Sequence, residues 1–307
     1  MEKVFKVYKA KNNSDEYIVL LAGASQGGFI FTESIPLLQE EYNVITFDNP
    51  GLNANPGRPF FTCKDLAKQY VDELKKLNIE NYHVVGHCMG GFIAQEMARL
   101  VNIKTLTLIA SSYGSYRLVK QMDYLFNELK VHKIERFMFT DEFIENNQDK
   151  ISFYKNICLE NKISKEDLFY NFYAGSIFNS LNWINSIESK TLIVHGVKDI
   201  MVPYEISKQM AALMPNAELL TINDSAHTPY ADNPKLMYKI MDFIKGKQVG
   251  EKLEHLKVST ELLEEAKQFE DEKYTKEFIN YVQEQYKVLD NNSINKEITK
   301  FLGAVND

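Results

Sequence analysis

One turn in this sequence combines a nucleophilic side chain with the small neighbours that an exposed nucleophile needs. The turn reads GHCMGG and runs from Gly86 to Gly91, with Cys88 as its third residue. The apolar stretch Tyr82–Val85 before it predicts a buried strand, and Phe92–Leu100 after it has the apolar spacing of a helix. Cys88 is therefore predicted to lie on a sharp strand-to-helix turn.

The position of Cys88 favours thiolate chemistry. A nucleophile on such a turn has a strained backbone, so the residues two before and two after it must be small; Gly86 and Gly90 meet this demand. Backbone N–H groups and the dipole at a helix N-terminus favour the thiolate form. The N–H of Met89, directly after the nucleophile, is then one predicted donor to an oxyanion.

This turn resembles the nucleophile elbow of the α/β-hydrolase superfamily, in its cap-bearing branch, with cysteine in place of the usual serine. The superfamily orders its catalytic residues along the chain as nucleophile, acid and histidine. The stretch His195–Pro203 is similar to the superfamily's acid loop, and Asn223–Pro229 is similar to its histidine loop. The resemblance implies a catalytic triad of Cys88, Asp199 and His227.

The resemblance also implies a role for each member of the triad. His227 takes the thiol proton or holds the thiolate as an ion pair, and it then protonates the leaving group; Asp199 orients the imidazole and stabilises its charged form. Asp224, three residues before the histidine, is the alternative acid. Two further histidines flank catalytic positions and are expected to serve in packing or hydrogen bonding, namely His87 and His195.

The second oxyanion donor is expected in the glycine-rich loop Leu21–Gly28. The superfamily commonly has His-Gly where this chain has Ala22-Gly23, and the alignment then implies the N–H of Ala24 as the donor. Nearby, Asp48–Asn53 stands where relatives often have Asp-x-Arg-Gly-x-Gly. The missing arginine and final glycine mark a divergence that touches no predicted catalytic role.

Apolar, β-branched runs alternate with helical patterns along the first 246 residues, which the resemblance spans. Such alternation predicts an α/β fold with a mostly parallel sheet covered by helices on both faces. The predicted strands are Val4–Tyr8, Tyr17–Leu21, Asn43–Phe47, Tyr82–Val85, Thr105–Ile109, Thr191–Val194 and Glu218–Ile222. The predicted helices are Thr62–Leu77, Phe92–Leu100, Tyr204–Leu213 and Pro234–Ile244.

Two regions depart from this alternation and set the predicted domains. Residues 112–190 show no convincing strand and are rich in aromatic side chains, which predicts a helical cap whose inner face lines a pocket above the sheet. The core is then formed by residues 1–111 and 191–246. Residues 247–307 predict a C-terminal extension of two or three amphipathic helices, which either dock on the core or pair with another chain or a protein partner.

Composition narrows the compartment and the partners. A formal net charge of -7 argues against a nucleic-acid binder that works through phosphate contacts. The N-terminus lacks the apolar core of a signal peptide, and no apolar stretch is long enough to cross a bilayer. Three dispersed cysteines suit the reducing cytoplasm. Neither metal-ligand spacing nor a nucleotide-binding glycine motif is present, so no metal or cofactor is predicted.

A cysteine nucleophile leaves several functions open. Thiolate attack on an ester or thioester gives a thioester acyl-enzyme, and the leading hypothesis is an acyl hydrolase of thioesterase or esterase type acting on a small-molecule or carrier-bound substrate. Thioesters also react readily with amines and thiols, so the alternative is an acyltransferase or cyclase. A non-catalytic ligand-binding or interaction protein is the second alternative. A further alternative is that Cys88 is an engineered replacement of a native serine.

Overall fold

The structure, a computed structural model, describes residues 4–53, 55–114, 135–161 and 163–267. Seven strands in this part of the chain form a single sheet. Their bounds are β1 Phe5–Tyr8, β2 Tyr17–Leu21, β3 Asn43–Phe47, β4 Tyr82–His87, β5 Thr105–Ile109, β6 Lys190–Gly196 and β7 Ala217–Ile222. Each predicted strand is present, with its ends within two residues of the prediction.

The strand order is β1-β3-β2-β4-β5-β6-β7, and only the edge strand β1 runs antiparallel to its neighbour. β2 pairs with β3 on one side and with β4 on the other, so the chain changes its direction of travel across the sheet between β3 and β4. In open parallel sheets the crevice outside the carboxyl ends of the strands at such a point is the usual ligand site.

Helices cover both faces of the sheet. Those connected to the sheet outside the β5–β6 connection are α1 Ile35–Leu38, α2 Cys63–Lys76, α3 Met89–Leu100, α8 Tyr204–Leu213, α9 Pro229–Asp232 and α10 Leu236–Ile244, with a 3₁₀ turn at Gly28–Phe31. Thr62 caps α2 through a capping box with Asp65, as its sequence predicts. α3 begins three residues earlier than predicted, directly after Cys88.

Alternate residues of the buried strands serve two separate apolar cores. In β2, Val19 and Leu21 belong to the core that includes side chains of α2, α3 and α8, whereas Ile18 and Leu20 belong to the core that includes those of α1 and α10. A strand presents successive side chains to opposite faces, so a continuous apolar run such as Tyr17–Leu21 is buried on both. This rigid double-sided core fixes the strand ends that carry the candidate site.

The connection between β5 and β6, which we call the insertion, contains four helices in its described part. They are α4 Glu135–Met138, α5 Asp141–Asn146, α6 Gln148–Glu160 and α7 Lys165–Ser176, followed by a 3₁₀ turn at Ile184–Ser186. Aromatic side chains join the insertion to the core: the Phe60 ring lies 5.2 Å from that of Tyr173 in an edge-to-face arrangement. The division into core, cap and extension stays a prediction, and residues 115–134 lie outside the described ranges.

Residues 247–259, which we call the edge segment, run along the outer side of β7. Leu219 and Glu251 exchange two backbone hydrogen bonds of 2.8 and 2.9 Å, and the Leu256 N–H donates to the Ala212 carbonyl at 2.8 Å. Helical periodicity was predicted from Leu253, but in the described residues a helix, α11 Thr260–Lys267, begins only later. Tertiary backbone bonds account for this difference, because the backbone groups of Glu251 and Leu256 bond to β7 and α8 and not within a helix. The rest of the predicted extension lies outside the described residues.

None of the helices in the described part of the chain has the length and apolar composition needed to cross a membrane. The cytoplasmic location and the pairing of the C-terminal helices with another chain stay predictions.

Candidate active site

Cys88 lies between β4 and α3 in a backbone conformation that residues other than glycine rarely adopt. Its φ is 53° and its ψ is -120°, so the residue is held in a strained left-handed conformation. Three hydrogen bonds maintain this conformation. The Cys88 N–H donates to the Ile109 carbonyl at 2.9 Å, and the Cys88 carbonyl accepts from the Gly91 N–H at 2.9 Å and from the Ser111 hydroxyl at 3.0 Å.

The glycines that flank Cys88 are required by close backbone contacts. A β-carbon on Gly86 would lie 2.3 Å from the Gly90 carbonyl oxygen, and one on Gly90 would lie 2.2 Å from the Leu21 carbonyl oxygen. Both distances are far inside van der Waals contact with atoms that cannot move alone. The packing therefore confirms that small residues are needed two before and two after the cysteine.

His227, on the loop between β7 and α9, lies beside both of the other predicted triad members. Its Nδ1 lies 2.8 Å from Asp199 Oδ2, and Cys88 is near enough to raise its pKa. Burial lowers the pKa of His227, but the Asp199 carboxylate and the Cys88 sulfur outweigh it and raise the pKa to about 10. At neutral pH the ring is thus an imidazolium between a carboxylate and a sulfur.

Asp199, between β6 and α8, has partners at both carboxylate oxygens. Oδ1 accepts from the N–H groups of Met201 and Val202 at 2.8 and 3.0 Å. Oδ2 faces His227 Nδ1 and also lies 3.1 Å from His195 Nε2. Burial alone would raise the pKa of Asp199, but the two histidines hold it well below its usual range. The carboxylate is therefore ionised and rotationally fixed.

The two flanking histidines have hydrogen-bonding roles, as expected, and both act on the triad. His195 Nε2 donates to the Val202 carbonyl at 2.9 Å and lies 3.1 Å from Asp199 Oδ2, and its Nδ1 accepts from the Ser207 hydroxyl. His87 Nε2 donates to the His227 carbonyl at 3.0 Å, and its Nδ1 accepts from the Tyr230 hydroxyl at 3.3 Å. Complete burial lowers the pKa of His87 well below its usual range, so this ring is neutral. Sequence reasoning missed these contacts to the triad.

Asp224, the alternative acid, is not placed to serve. Its side chain is 93% exposed, and Oδ1 lies 3.7 Å from the ammonium group of Lys198. Asp199 is the carboxylate that contacts the histidine.

The loop after β2 closes over the cysteine. A β-carbon on Gly23 would lie 3.2 Å from the Cys88 β-carbon, so the loop backbone passes directly beside this cysteine. Neither the Ala24 N–H nor the Met89 N–H has an acceptor among the described residues. Both N–H groups belong to backbone next to Cys88 or next to the Gly23 turn that contacts it, and their role as oxyanion donors stays a prediction.

The insertion contacts both loops that border the cysteine. The Asn171 amide of α7 accepts from the Ser25 N–H at 3.2 Å. On the other side, the Thr228 N–H and hydroxyl both donate to the Met138 carbonyl, at 3.1 and 2.8 Å. These contacts join segments more than 80 residues apart in the chain, and no local sequence pattern announces them.

A narrow cavity lies between the insertion and the core beside the histidine loop. Gln26, Thr228 and Tyr230 line it on the catalytic side, and Glu135 and Lys155, 2.7 Å apart, line it on the insertion side. The remaining wall is mainly apolar, with Ile30, Met138, Phe139, Ile151, Tyr154 and Ala231. Across the described residues, no group of three or more histidine, cysteine or acidic side chains is arranged to hold a metal.

Comparisons with known proteins agree with this architecture. A relative from Cupriavidus pinatubonensis, 2-hydroxy-6-oxononadienedioate/2-hydroxy-6-oxononatrienedioate hydrolase, is 24% identical over 75% of this chain and 86% of its own. A candidate carbamate hydrolase, RutD, of Yersinia enterocolitica is 25% identical over 78% of this chain and 92% of its own. The relatives are named hydrolases, which supports an enzyme of the hydrolase type.

Solved structures show the same fold at lower identity. The enol-lactonase from Burkholderia xenovorans LB400 superposes with a TM-score of 0.69 at 14% identity, covering 79% of this chain and 96% of the enzyme. A family model described as the alpha/beta hydrolase fold matches residues 16–138 and 162–234. The match covers β2 to β7, the cysteine turn, and the acid and histidine loops. The chain therefore belongs to the α/β-hydrolase fold family.

Proposed function

We propose that this chain is an acyl hydrolase of the thioesterase or esterase type, with Cys88 as nucleophile, His227 as acid–base and Asp199 as orienting acid. The observation that carries the proposal is the placement of His227, whose ring is hydrogen-bonded to Asp199 and lies near enough to Cys88 for the sulfur to raise its pKa. A nucleophile, a base and a group that orients the base make up the minimal set for covalent acyl chemistry.

The first half-reaction forms an acyl-enzyme. The Cys88 sulfur attacks the acyl carbonyl, and His227 holds the proton that the thiol has lost. The carbonyl electron pair moves onto oxygen, where the N–H groups of Met89 and Ala24 stabilise the oxyanion. As the tetrahedral intermediate collapses, the bond to the leaving group breaks, His227 gives its proton to that group, and a thioester to Cys88 remains.

The second half-reaction releases the acid. Neutral His227 takes a proton from water, and the resulting hydroxide equivalent attacks the thioester carbonyl. The same two N–H groups stabilise the second oxyanion. Collapse breaks the carbon–sulfur bond, and the sulfur leaves as the thiolate beside the imidazolium, which restores the starting pair.

The apolar cavity beside Thr228 and Tyr230 supports an apolar acyl group as the substrate portion bound there. The substrates in the relatives' names differ from one another, so they support hydrolysis as the reaction class and leave the acyl group open.

Acyl transfer is the second candidate, and the cysteine together with the apolar cavity favours it. A thioester reacts readily with amines and thiols, and a cavity with a mainly apolar wall disfavours water as the acceptor. Product analysis separates the two functions. Free acid in the presence of a tenfold excess of an amine acceptor supports hydrolysis, and an amide product supports transfer.

The proposal is tested by Cys88→Ala, with turnover of a short acyl p-nitrophenyl ester as the readout. We expect the variant to fold and to lose turnover, since no other group replaces the sulfur. Cys88→Ser is the matched variant, which retains an oxygen nucleophile. Retained turnover in Cys88→Ala would remove Cys88 from the mechanism, and an absence of both turnover and thiol labelling in the wild type would favour the non-catalytic alternative.

A further inference from the structure

The Ala24 N–H is one end of a planar peptide unit whose other end is held by a buried side chain. The amide of Asn49 donates to the Gly23 carbonyl at 2.7 Å. Asn49 is 2% exposed, and its own oxygen accepts from the Tyr70 hydroxyl at 3.3 Å. The Gly23 carbonyl and the Ala24 N–H belong to one trans peptide plane and point in opposite directions. Fixing the carbonyl therefore fixes the direction of the N–H.

The next peptide unit is held from the opposite side. Its N–H belongs to Ser25 and donates to the Asn171 amide oxygen at 3.2 Å. Asn171 is fully buried on α7, and its nitrogen donates to the carbonyls of Pro50 and Asp167 at 2.9 and 2.8 Å. Ser25 has a φ of 61°, a conformation that costs free energy for a residue with a side chain and persists where neighbours impose it.

Two buried asparagine amides thus hold the two peptide planes that meet at Ala24, one from the core and one from the insertion. The Asn49 contact is the more direct, since it acts on the same plane as the donor N–H. Both amides use their donor and acceptor atoms within the protein, so neither is free to bind substrate. Their chemistry is to orient the loop.

We propose that Asn49 and Asn171 are positioning residues. They orient the Ala24 N–H towards the oxyanion that forms when the Cys88 sulfur attacks the acyl carbonyl. The proposal rests on the proposed function, in which Ala24 is an oxyanion donor. Neither side chain touches the reacting atoms. Their effect is felt in the transition state, where a preoriented N–H stabilises the developing charge without having to reorganise.

The test compares Asn49→Leu and Asn171→Leu with the wild type. The matched control is Asn146→Leu, because Asn146 is an exposed asparagine of the insertion whose amide donates to the Glu142 carbonyl in its own helix. In Asn49→Leu and in Asn171→Leu we expect a kcat about 10- to 100-fold lower than in the wild type with little change in KM, because an oxyanion donor acts on the transition state. The control variant should retain the wild-type kcat.

Binding of a transition-state analogue gives a second readout that a general structural defect would not produce. An aliphatic aldehyde adds reversibly to the thiolate and forms a hemithioacetal whose oxygen takes the oxyanion position. We expect its affinity to fall by the same factor as kcat, while the affinity for a non-reacting alcohol of the same length stays unchanged. Equal loss for the aldehyde and the alcohol would overturn the positioning role.

The failure of this inference is distinguishable from failure of the proposed function. Wild-type kcat in both asparagine variants, with turnover that still depends on Cys88, overturns the inference and leaves the function standing. Turnover that does not depend on Cys88 overturns the function, and amide hydrogen exchange of residues 21–31 then decides whether the asparagines hold the loop. Faster exchange in both variants supports the role of the two asparagines in holding the loop, and unchanged exchange overturns that role.

Asn49→Asp serves if the leucine variant does not fold. It keeps the side-chain volume and the acceptor for Tyr70, but an ionised carboxylate cannot donate to the Gly23 carbonyl. The same loss of kcat is expected.

Discussion

Replacing Asp199 with asparagine tests how the triad charges are held. The substitution keeps one oxygen acceptor, which can still receive the N–H groups of Met201 and Val202. At the Oδ2 position, however, an amide nitrogen would face two imidazole nitrogens, those of His227 and His195, at 2.8 and 3.1 Å. Donors would then meet donors, so His227 must rotate or change its tautomer.

The size of the effect follows from the charge state and the orientation of His227. Its pKa is about 10 with Asp199 ionised, so the ring is almost fully protonated at pH 7.5. Without the carboxylate, burial lowers the pKa of His227 and Cys88 alone opposes it, so a smaller fraction of the rings stays protonated at that pH. The lost charge on the imidazole therefore adds to the loss caused by its changed orientation. The wrong tautomer brings the total loss of kcat to about 10³- to 10⁴-fold, or ~4–5.5 kcal/mol.

The assay is single-turnover acylation by a short acyl p-nitrophenyl ester at pH 7.5. Asp224→Asn is the matched control, because it removes an exposed carboxylate from the histidine loop itself, and wild-type rates are expected there. Alkylation of Cys88 by iodoacetamide gives an independent readout, which should slow at neutral pH in Asp199→Asn. A loss of less than tenfold in Asp199→Asn, or an equal loss in both variants, would refute this account of the triad.

Three further predictions concern the scaffold. In Gly196→Ala the new β-carbon would lie 2.1 Å from the Ala226 carbonyl oxygen, so we expect a loss of about 2 kcal/mol or more in urea unfolding together with lower kcat. Gly246→Ala is the control for kcat alone: its β-carbon meets nothing within 4 Å, but its φ of 86° makes alanine costly for stability, so a loss of stability with wild-type kcat is expected there. Burial lowers the pKa of His83 to about 4, so the unfolded chain binds more protons than the folded chain between pH 4 and roughly 6.5. The free energy of unfolding should therefore fall as pH falls through that window. His83→Gln should flatten this pH dependence, and an unchanged dependence would contradict the lowered pKa of His83. A chain ending at Gly246 lacks the edge segment and should melt at a lower temperature and aggregate sooner than one ending at Lys267, because the β7 edge is left unpaired; equal melting temperatures would argue against this role.

The sheet could be predicted from the sequence because its strands are short, apolar and buried on both faces. Tyr17–Leu21, Asn43–Phe47 and Thr105–Ile109 have the predicted bounds, since their composition leaves no other element that buries every residue. The triad spacing followed from the resemblance, which supplied the order of the loops.

The supports of the site could not be predicted in the same way. Asn171 contacts Ser25 across 146 positions of the sequence, and such contacts depend on how the insertion packs. The signal available was a helix-disfavouring asparagine between aromatic residues, Phe169, Tyr170, Phe172 and Tyr173. No role is predicted for Asn49 from the sequence, because its segment departs from the superfamily pattern. Its amide nevertheless contacts the loop that carries Ala24.

In the edge segment, by contrast, the sequence pattern predicts a helix that the structure does not have. Leu253 and Leu256 fall at helical intervals with later leucines, so periodicity alone favoured a helix. Bonds to β7 and α8 supply backbone partners that periodicity cannot reveal, and the helix begins only at Thr260.

The central claim is that Cys88 becomes acylated, and intact mass spectrometry tests it most directly. Wild-type protein would be mixed with a panel of acyl thioesters of increasing chain length and quenched in acid within one turnover. The account predicts a mass increase of one acyl group that maps to the peptide containing Cys88, disappears with time, and is absent in Cys88→Ala. Turnover without any adduct on Cys88, or an adduct that persists in Cys88→Ala, would contradict it.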